Sequence, residues 1–355
     1  MQLAAAQLAA HLQKELRPLY ALHGDEPLLL QEAADAIRAA ARAQGFTERS
    51  VYTVAGAHFD WSAVLAAGQS MSLFADRQIV ELRIPSGKPG KEGSVALQQL
   101  AEQTAGHDST LTLVLLPRLD KQTRGGAWFG ALEGAGVTVQ IDGVERAALP
   151  RWLAERLARQ GQRVPPGEPG QRALAFFADR VEGNLLAAQQ EIAKLALLYP
   201  AGELTPEQIE AAVLNVARYD VFKLSEAVLG GQRARVQRML DGLQAEGEPE
   251  VLVHYTLAED IRALKRVKDA VAEGRPLPLA LREQRIWGLR ERLFERVLPR
   301  LTEVQLANLL HAAHQVDGIV KGLKAPGWPA EPWQALHRLA QSLCGACAGA
   351  TPAAR

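Results

Sequence analysis

The sequence predicts an α/β domain on a mainly parallel sheet, followed by two all-helical domains. Three observations carry this. Over the first 142 residues, short β-rich runs alternate with amphipathic helical segments, the order expected of βαβ units. One of those runs, 111–116, is almost continuously apolar, as a strand covered on both faces must be. After Asp142 the strand signal disappears and helix-period patterns take over. A chain of 355 residues also suits two or three domains of ordinary size.

The elements follow in order. Residues 19–23 read as the first strand. A helix is expected over 27–44, with Pro27 in the first turn, where a missing N–H is harmless. Strands are expected over 51–54, 78–84, 111–116 and 137–141. Helices fall between them over 61–68, 94–104 and 128–132, and 86–91 is a polar loop. Beyond the sheet, helices are expected over 149–160, 171–180, 184–198 and 206–216. In the last of these, Thr205 is the N-cap, Pro206 the first residue and Gln208 the capping-box partner. A second helical region starts at Arg218-Tyr219-Asp220 and runs to about Leu343, with Thr302 and Gln305 as a further capping box. The expected domains are therefore 1–146, 147–217 and 218–345, with a frayed tail over 346–355.

Composition excludes several function classes. Lys plus Arg and Asp plus Glu are both 40, so bulk charge does not drive nucleic-acid binding. The charge is uneven, however: residues 262–300 hold 11 basic and 5 acidic groups. No stretch reaches the ~20 apolar residues of a membrane span. The first ten residues lack a basic region, so no signal peptide is expected, and a cytoplasmic location is. Two cysteines, Cys344 and Cys347, make no disulfide framework. Their lone C-x-x-C lies in a helical region without further ligands, and reads as incidental. His311 and His314 share a helix face with no third ligand at metal spacing.

The first βα turn invites a nucleotide reading and does not sustain it. A phosphate loop wraps phosphates with backbone N–H groups and neutralises them with Lys. Here the turn is Gly24-Asp25-Glu26-Pro27, where two acids repel phosphate and proline removes a donor. Gly90-Lys91 has Pro85 where the first glycine should be. Asp120 stands alone beyond the 111–116 strand, between Arg118 and Lys121, where an ATPase places an acidic pair for Mg²⁺. No cofactor or metal is expected.

The run Gln69-Ser70-Met71-Ser72-Leu73-Phe74 places three large apolar side chains between a helix and a strand. They can tuck beneath the sheet, or stand out as a plug for a partner's pocket. Glu182-Gly183-Asn184-Leu185-Leu186-Ala187 opens a helix, with Asn184 as a cap. ATPase lids often carry an arginine here for the γ-phosphate, and this run has none.

Together the run from Gln69 to Gln78, the opening from Gly24 to Glu32, the run from Glu182 to Ala187 and Leu149-Pro150-Arg151-Trp152 resemble the delta subunits of bacterial DNA polymerase III, over nearly the whole chain. The resemblance implies an AAA+-like fold with a degenerate nucleotide site, a helical lid and a helical collar. It implies a clamp-loader subunit, without catalysis of its own, inside a DNA-directed DNA polymerase (nucleotidyltransferase) holoenzyme. Leu73 and Phe74 would enter a pocket on the sliding clamp (the beta subunit), flanked by Gln69 and Met71. The implied partners are the gamma/tau and delta-prime subunits, in a hetero-pentamer, and primer–template DNA. Trp328, Arg262, Lys265 and Arg266 are the candidates to face that DNA, against the alternatives of core packing for Trp328 and a solvated helix face for the cations. The sister subunits fit less well, since no Ser-Arg-Cys run occurs.

Overall fold

The computed structural model describes residues 1–56, 58–69, 77–104, 109–214 and 216–349. Among them, six strands form one sheet: β1 (Gln2–Ala4), β2 (Leu19–Gly24), β3 (Glu48–Thr53), β4 (Gln78–Arg83), β5 (Thr110–Leu116) and β6 (Val137–Ile141). Their order across the sheet is β1-β6-β2-β5-β4-β3, and every neighbouring pair is parallel. This is the parallel α/β class that the sequence predicts. The helices of this part are α1 (Leu8–Lys14), α2 (Pro27–Ala43), α3 (Trp61–Gln69), α4 (Gly90–Gln103), α5 (Lys121–Arg124) and α6 (Ala127–Ala135).

Alternation along each strand divides its side chains between two cores. Leu19 and Ala21 of β2 join Val80, Leu82, Val114, Leu97 and Leu132 on the face covered by α3, α4 and α6. Tyr20 and Leu22 join Leu8, Ile37, Ala41, Leu113 and Val139 on the face covered by α1 and α2. Each fully buried large side chain contributes about 1.5–3 kcal/mol. The central strands need apolar residues on both faces for this reason. Glu81 brings a carboxylate into this apolar setting: buried on β4, it is held by Arg38, Arg49 and Arg83. Burial pushes that carboxyl up, but Arg83 and Arg38 outweigh it and keep it below its usual range. The last residue of β2 is Gly24, where a Cβ would lie 2.0 Å from the Ile141 carbonyl oxygen.

Downstream come α7 (Leu149–Arg159), β7 (Gln162–Arg163), α8 (Glu168–Val181), α9 (Leu185–Leu198), β8 (Gly202–Glu203) and α10 (Pro206–Ala212). Then follow α11 (Val221–Leu229), α12 (Arg233–Ala245), α13 (Glu250–Ala272), α14 (Leu277–Glu283), α15 (Gly288–Val297), α16 (Glu303–Val320) and α17 (Pro332–Ala348). Both expected capping boxes form, at Thr205–Gln208 and Thr302–Gln305. No described helix is long and apolar enough to cross a membrane.

Packing divides the chain into two compact units: Met1–Arg163 with Leu185–Glu203, and Val164–Asn184 with Leu204–Arg355. Residues 147–217 thus contribute α7 and α9 to the first unit and α8 and α10 to the second. In the second unit, α13 buries Val253, Leu257, Ile261 and Leu264 against α11, α16 and α17. Its connecting segment is pinned at Gly183, whose φ of +77° and 1.9 Å Cβ clearance from the Arg218 carbonyl oxygen both demand glycine.

Four local expectations are corrected. β1 and α1 precede the first expected strand; three residues are too short a run to show periodicity. The helix expected from residue 94 starts at Gly90. β7 and β8 form a two-residue parallel ladder in a region read as wholly helical. α17 continues through Gly345 to Ala348, because Cys344 and Cys347 face the core, so the tail begins later than residue 346.

Candidate functional site

In a parallel sheet every helix-to-strand connection lies at the amino edge and every strand-to-helix connection at the carboxyl edge. The end of α3 and the start of β4, which flank the candidate plug in sequence, therefore belong to the amino edge. Met71, Leu73 and Phe74 lie outside the described residues, as does the side chain of Gln69. The flanks are anchored. Gln78 is buried and donates through Nε2 to the Ala67 carbonyl at 2.7 Å, tying the start of β4 to the last turn of α3. Arg77 donates to the Gln44 carbonyl at 2.7 Å, and its guanidinium lies 5.4 Å from the centre of the Phe46 ring.

At the carboxyl edge β2 and β5 lie side by side and their outgoing connections turn in opposite directions, the crevice position of an open parallel sheet. Ligands of open parallel sheets bind at such a point. Here Arg118 reaches across it to Asp25 at 3.3 Å. Glu26 accepts from the Leu28 N–H at 3.3 Å, occupying a donor at the amino end of α2, where Pro27 supplies none. Asp120 caps α5 by accepting from the Thr123 N–H at 2.7 Å, and that hydrogen bond holds its carboxyl below the usual range. A phosphate at the amino end of α2 would meet the Asp25 and Glu26 carboxylates, with the Leu28 N–H already taken and Arg118 already paired to Asp25. The residues present do not fit a nucleotide.

In the second unit the basic candidates are engaged internally. Arg262 and Arg266 both bind Glu259, at 3.1 and 2.6 Å, and Lys265 pairs with Asp269 and, at 3.2 Å, with Glu303. Trp328 is half-buried against the helical core, and the Arg338 guanidinium lies 4.5 Å from its ring centre. Trp333 is buried in that core.

One surface escaped the sequence reading. The turn between α14 and α15 buries Ile286 and leaves Trp287 60% exposed. Arg285 beside it takes φ 54°, a left-handed backbone that no other non-glycine residue adopts among the described residues. Arg282, Arg285 and Arg292 are exposed there and make no ion pair among the described residues. The legible signal was a tryptophan followed by a glycine, Trp287-Gly288, between Arg282 and Arg285 on one side and Arg290 and Arg292 on the other.

The family model described as DNA polymerase III, delta subunit, matches residues 20–142. The Escherichia coli (strain K12) protein named DNA polymerase III subunit delta is 33% identical over 338 residues, covering 95% of each chain. Its Haemophilus influenzae counterpart is 28% identical over 352 residues, covering 95% of this chain and 98% of that one. Among solved structures, the Bacillus subtilis DNA clamp loader delta protein aligns over 96% of this chain and 99% of its own, with 17% identity and a TM-score of 0.48.

Proposed function

This chain belongs to the DNA polymerase III delta-subunit family, and from that premise we propose that it binds the sliding clamp and opens it for loading onto primed DNA. The observation that supports the reading is the amino end of α2, where Asp25 and Glu26 place two carboxylates and Glu26 takes the Leu28 N–H, which leaves that end unsuited to phosphate. The role of the 69–74 run follows from the family resemblance, and an edge unsuited to ATP is consistent with it. Leu73 and Phe74 enter an apolar clamp pocket, with Gln69 and Met71 beside them. Burying the two side chains yields ~3–6 kcal/mol, a millimolar to tens-of-micromolar anchor. The anchored flanks at Gln78 and Arg77 support a fixed site of presentation.

Opening a closed ring requires tighter binding to the open clamp than to the closed one, since only differential affinity shifts an equilibrium. ATP acts through the gamma/tau subunits, which with delta-prime and this chain form a hetero-pentamer. In this reading the chain catalyses nothing itself and works in the cytoplasm. Residues 1–146 contact the clamp, 147–217 form the lid, and the helices from 218 onward form the collar.

The test is equilibrium binding of the purified chain to purified clamp without nucleotide. Saturable one-to-one binding is expected. Absence of binding, or ATP hydrolysis by this chain at the rate of a loader motor subunit, overturns the proposal.

The collar also faces template DNA, in this reading through the exposed α14–α15 turn. A base stacked on Trp287 contributes about 1–3 kcal/mol. Trp287→Ala is therefore expected to weaken binding of the assembled loader to primer–template by roughly tenfold, with the salt dependence unchanged. Arg285→Ala should instead lower the slope of log K against log salt by about one. Titration of a fluorescent primer–template at several salt concentrations separates them. If neither variant changes affinity, this turn does not meet DNA.

A further inference from the structure

Helix α7 turns an apolar stripe inward: Leu149, Leu153 and Leu157, with Arg156 among them. A cation at a core-facing position needs a partner, and the first unit supplies one. Arg156 is 9% exposed and donates through both terminal nitrogens to the two carboxylate oxygens of Glu32 on α2, with Nη2 to Oε2 at 2.5 Å. The same guanidinium donates to Gln189 Oε1 on α9 at 3.0 Å and lies 4.5 Å from the Trp152 ring centre. Three helices meet on one planar group whose fork geometry suits a carboxylate.

We propose that Arg156, Glu32 and Gln189 form a ligand-independent latch that seats α7 and α9 on α2. The amino end of α2 is the phosphate position of an open parallel sheet. A nucleotide bound there would make the seating of neighbouring helices depend on occupancy. An intrachain ion pair does not. Asp25 and Glu26 leave that end unsuited to phosphate, and Arg156 holds the helices in place one turn further along α2, whatever nucleotide the solution contains. Arg156 is thus a positioning residue. The latch stands apart from the clamp reading, since it is measured on the isolated chain and a failure to bind clamp would leave it intact.

Hydrogen exchange followed by mass spectrometry on the full chain tests it, using wild type, Arg156→Met and Glu32→Gln. Glu32 is 39% exposed in its side chain, so its neutral variant is the milder change and keeps the test readable if Arg156→Met fails to fold. Amides of α7 and α9 are expected to exchange about tenfold faster or more in Glu32→Gln, with β2 and β5 unchanged. In the wild type, saturating ATP and Mg²⁺ should leave α7 and α9 unaltered. Three results overturn the proposal: α7 and α9 keep their protection in the variants, β2 and β5 loosen equally, or ATP changes α7 and α9 in the wild type.

Discussion

Alanine at both Leu73 and Phe74 is expected to weaken clamp binding by at least about a hundredfold and to leave the melting temperature within roughly 2 °C of wild type. The size follows from the burial of two large side chains in a partner's pocket, ~3–6 kcal/mol, at about 1.4 kcal/mol per tenfold. The rival arrangement, with both side chains in this chain's own core, makes the opposite forecast. Truncating buried Leu and Phe costs about 2–5 and 3–5 kcal/mol, and a domain of this size loses roughly 2–4 °C per kcal/mol. Thermal unfolding and clamp binding, measured on one preparation, therefore decide the matter. A fall of ten degrees or more would mean that the run 69–74 packs under its own sheet. Unchanged clamp affinity would end the docking proposal outright.

Much of the fold was legible because long periodic segments advertise themselves. β5 is apolar on both faces and sits mid-sheet, so its run needed no alternation to be recognised. The capping boxes at Thr205 and Thr302 are local chemistry and survived into the structure unchanged. Elements set by tertiary contact were not legible. β1 exists through its pairing with β6, and β7 through its pairing with β8; neither has enough residues to carry a pattern. The same holds for the charges. The excess over 262–300 suggested a cationic face, yet Glu259, Asp269 and Glu303 absorb Arg262, Lys265 and Arg266. Arg282 and Arg285 stand exposed at the α14–α15 turn, where only a three-dimensional path places Trp287 outside and Ile286 inside. Arg156 carried a readable signal, a cation within an apolar helical stripe, but its partner Glu32 is 124 residues away.

Replacing Arg290 with methionine is expected to destabilise the second unit by about 3 kcal/mol near neutral pH. Asp260 lies on α13, 1% exposed, and its carboxylate is held by Arg290 of α15 at 2.5 Å and by the Ser225 hydroxyl of α11. Removing one partner of a buried pair typically costs ~3–5 kcal/mol, because a charge is left without compensation. The lower end applies, since Arg290 is 35% exposed in its side chain and water can follow its removal. Burial already pushes the Asp260 carboxyl above its ordinary range against the pull of Arg290. Without the guanidinium it rises further. A carboxyl whose folded-state value is raised takes up its proton in the native state first. Stability is therefore recovered as pH falls from the folded value toward the unfolded one near 3.9. The deficit of Arg290→Met should accordingly shrink on acidification, beginning at a higher pH than any change in the wild type. Asp260→Asn, which removes the charge instead of its partner, should cost less, and adding it to Arg290→Met should cost less than the two singles together. Urea unfolding at neutral and mildly acidic pH measures all of these. A deficit of equal size at both pH values would show that Arg290 contributes packing on Phe294 rather than charge compensation.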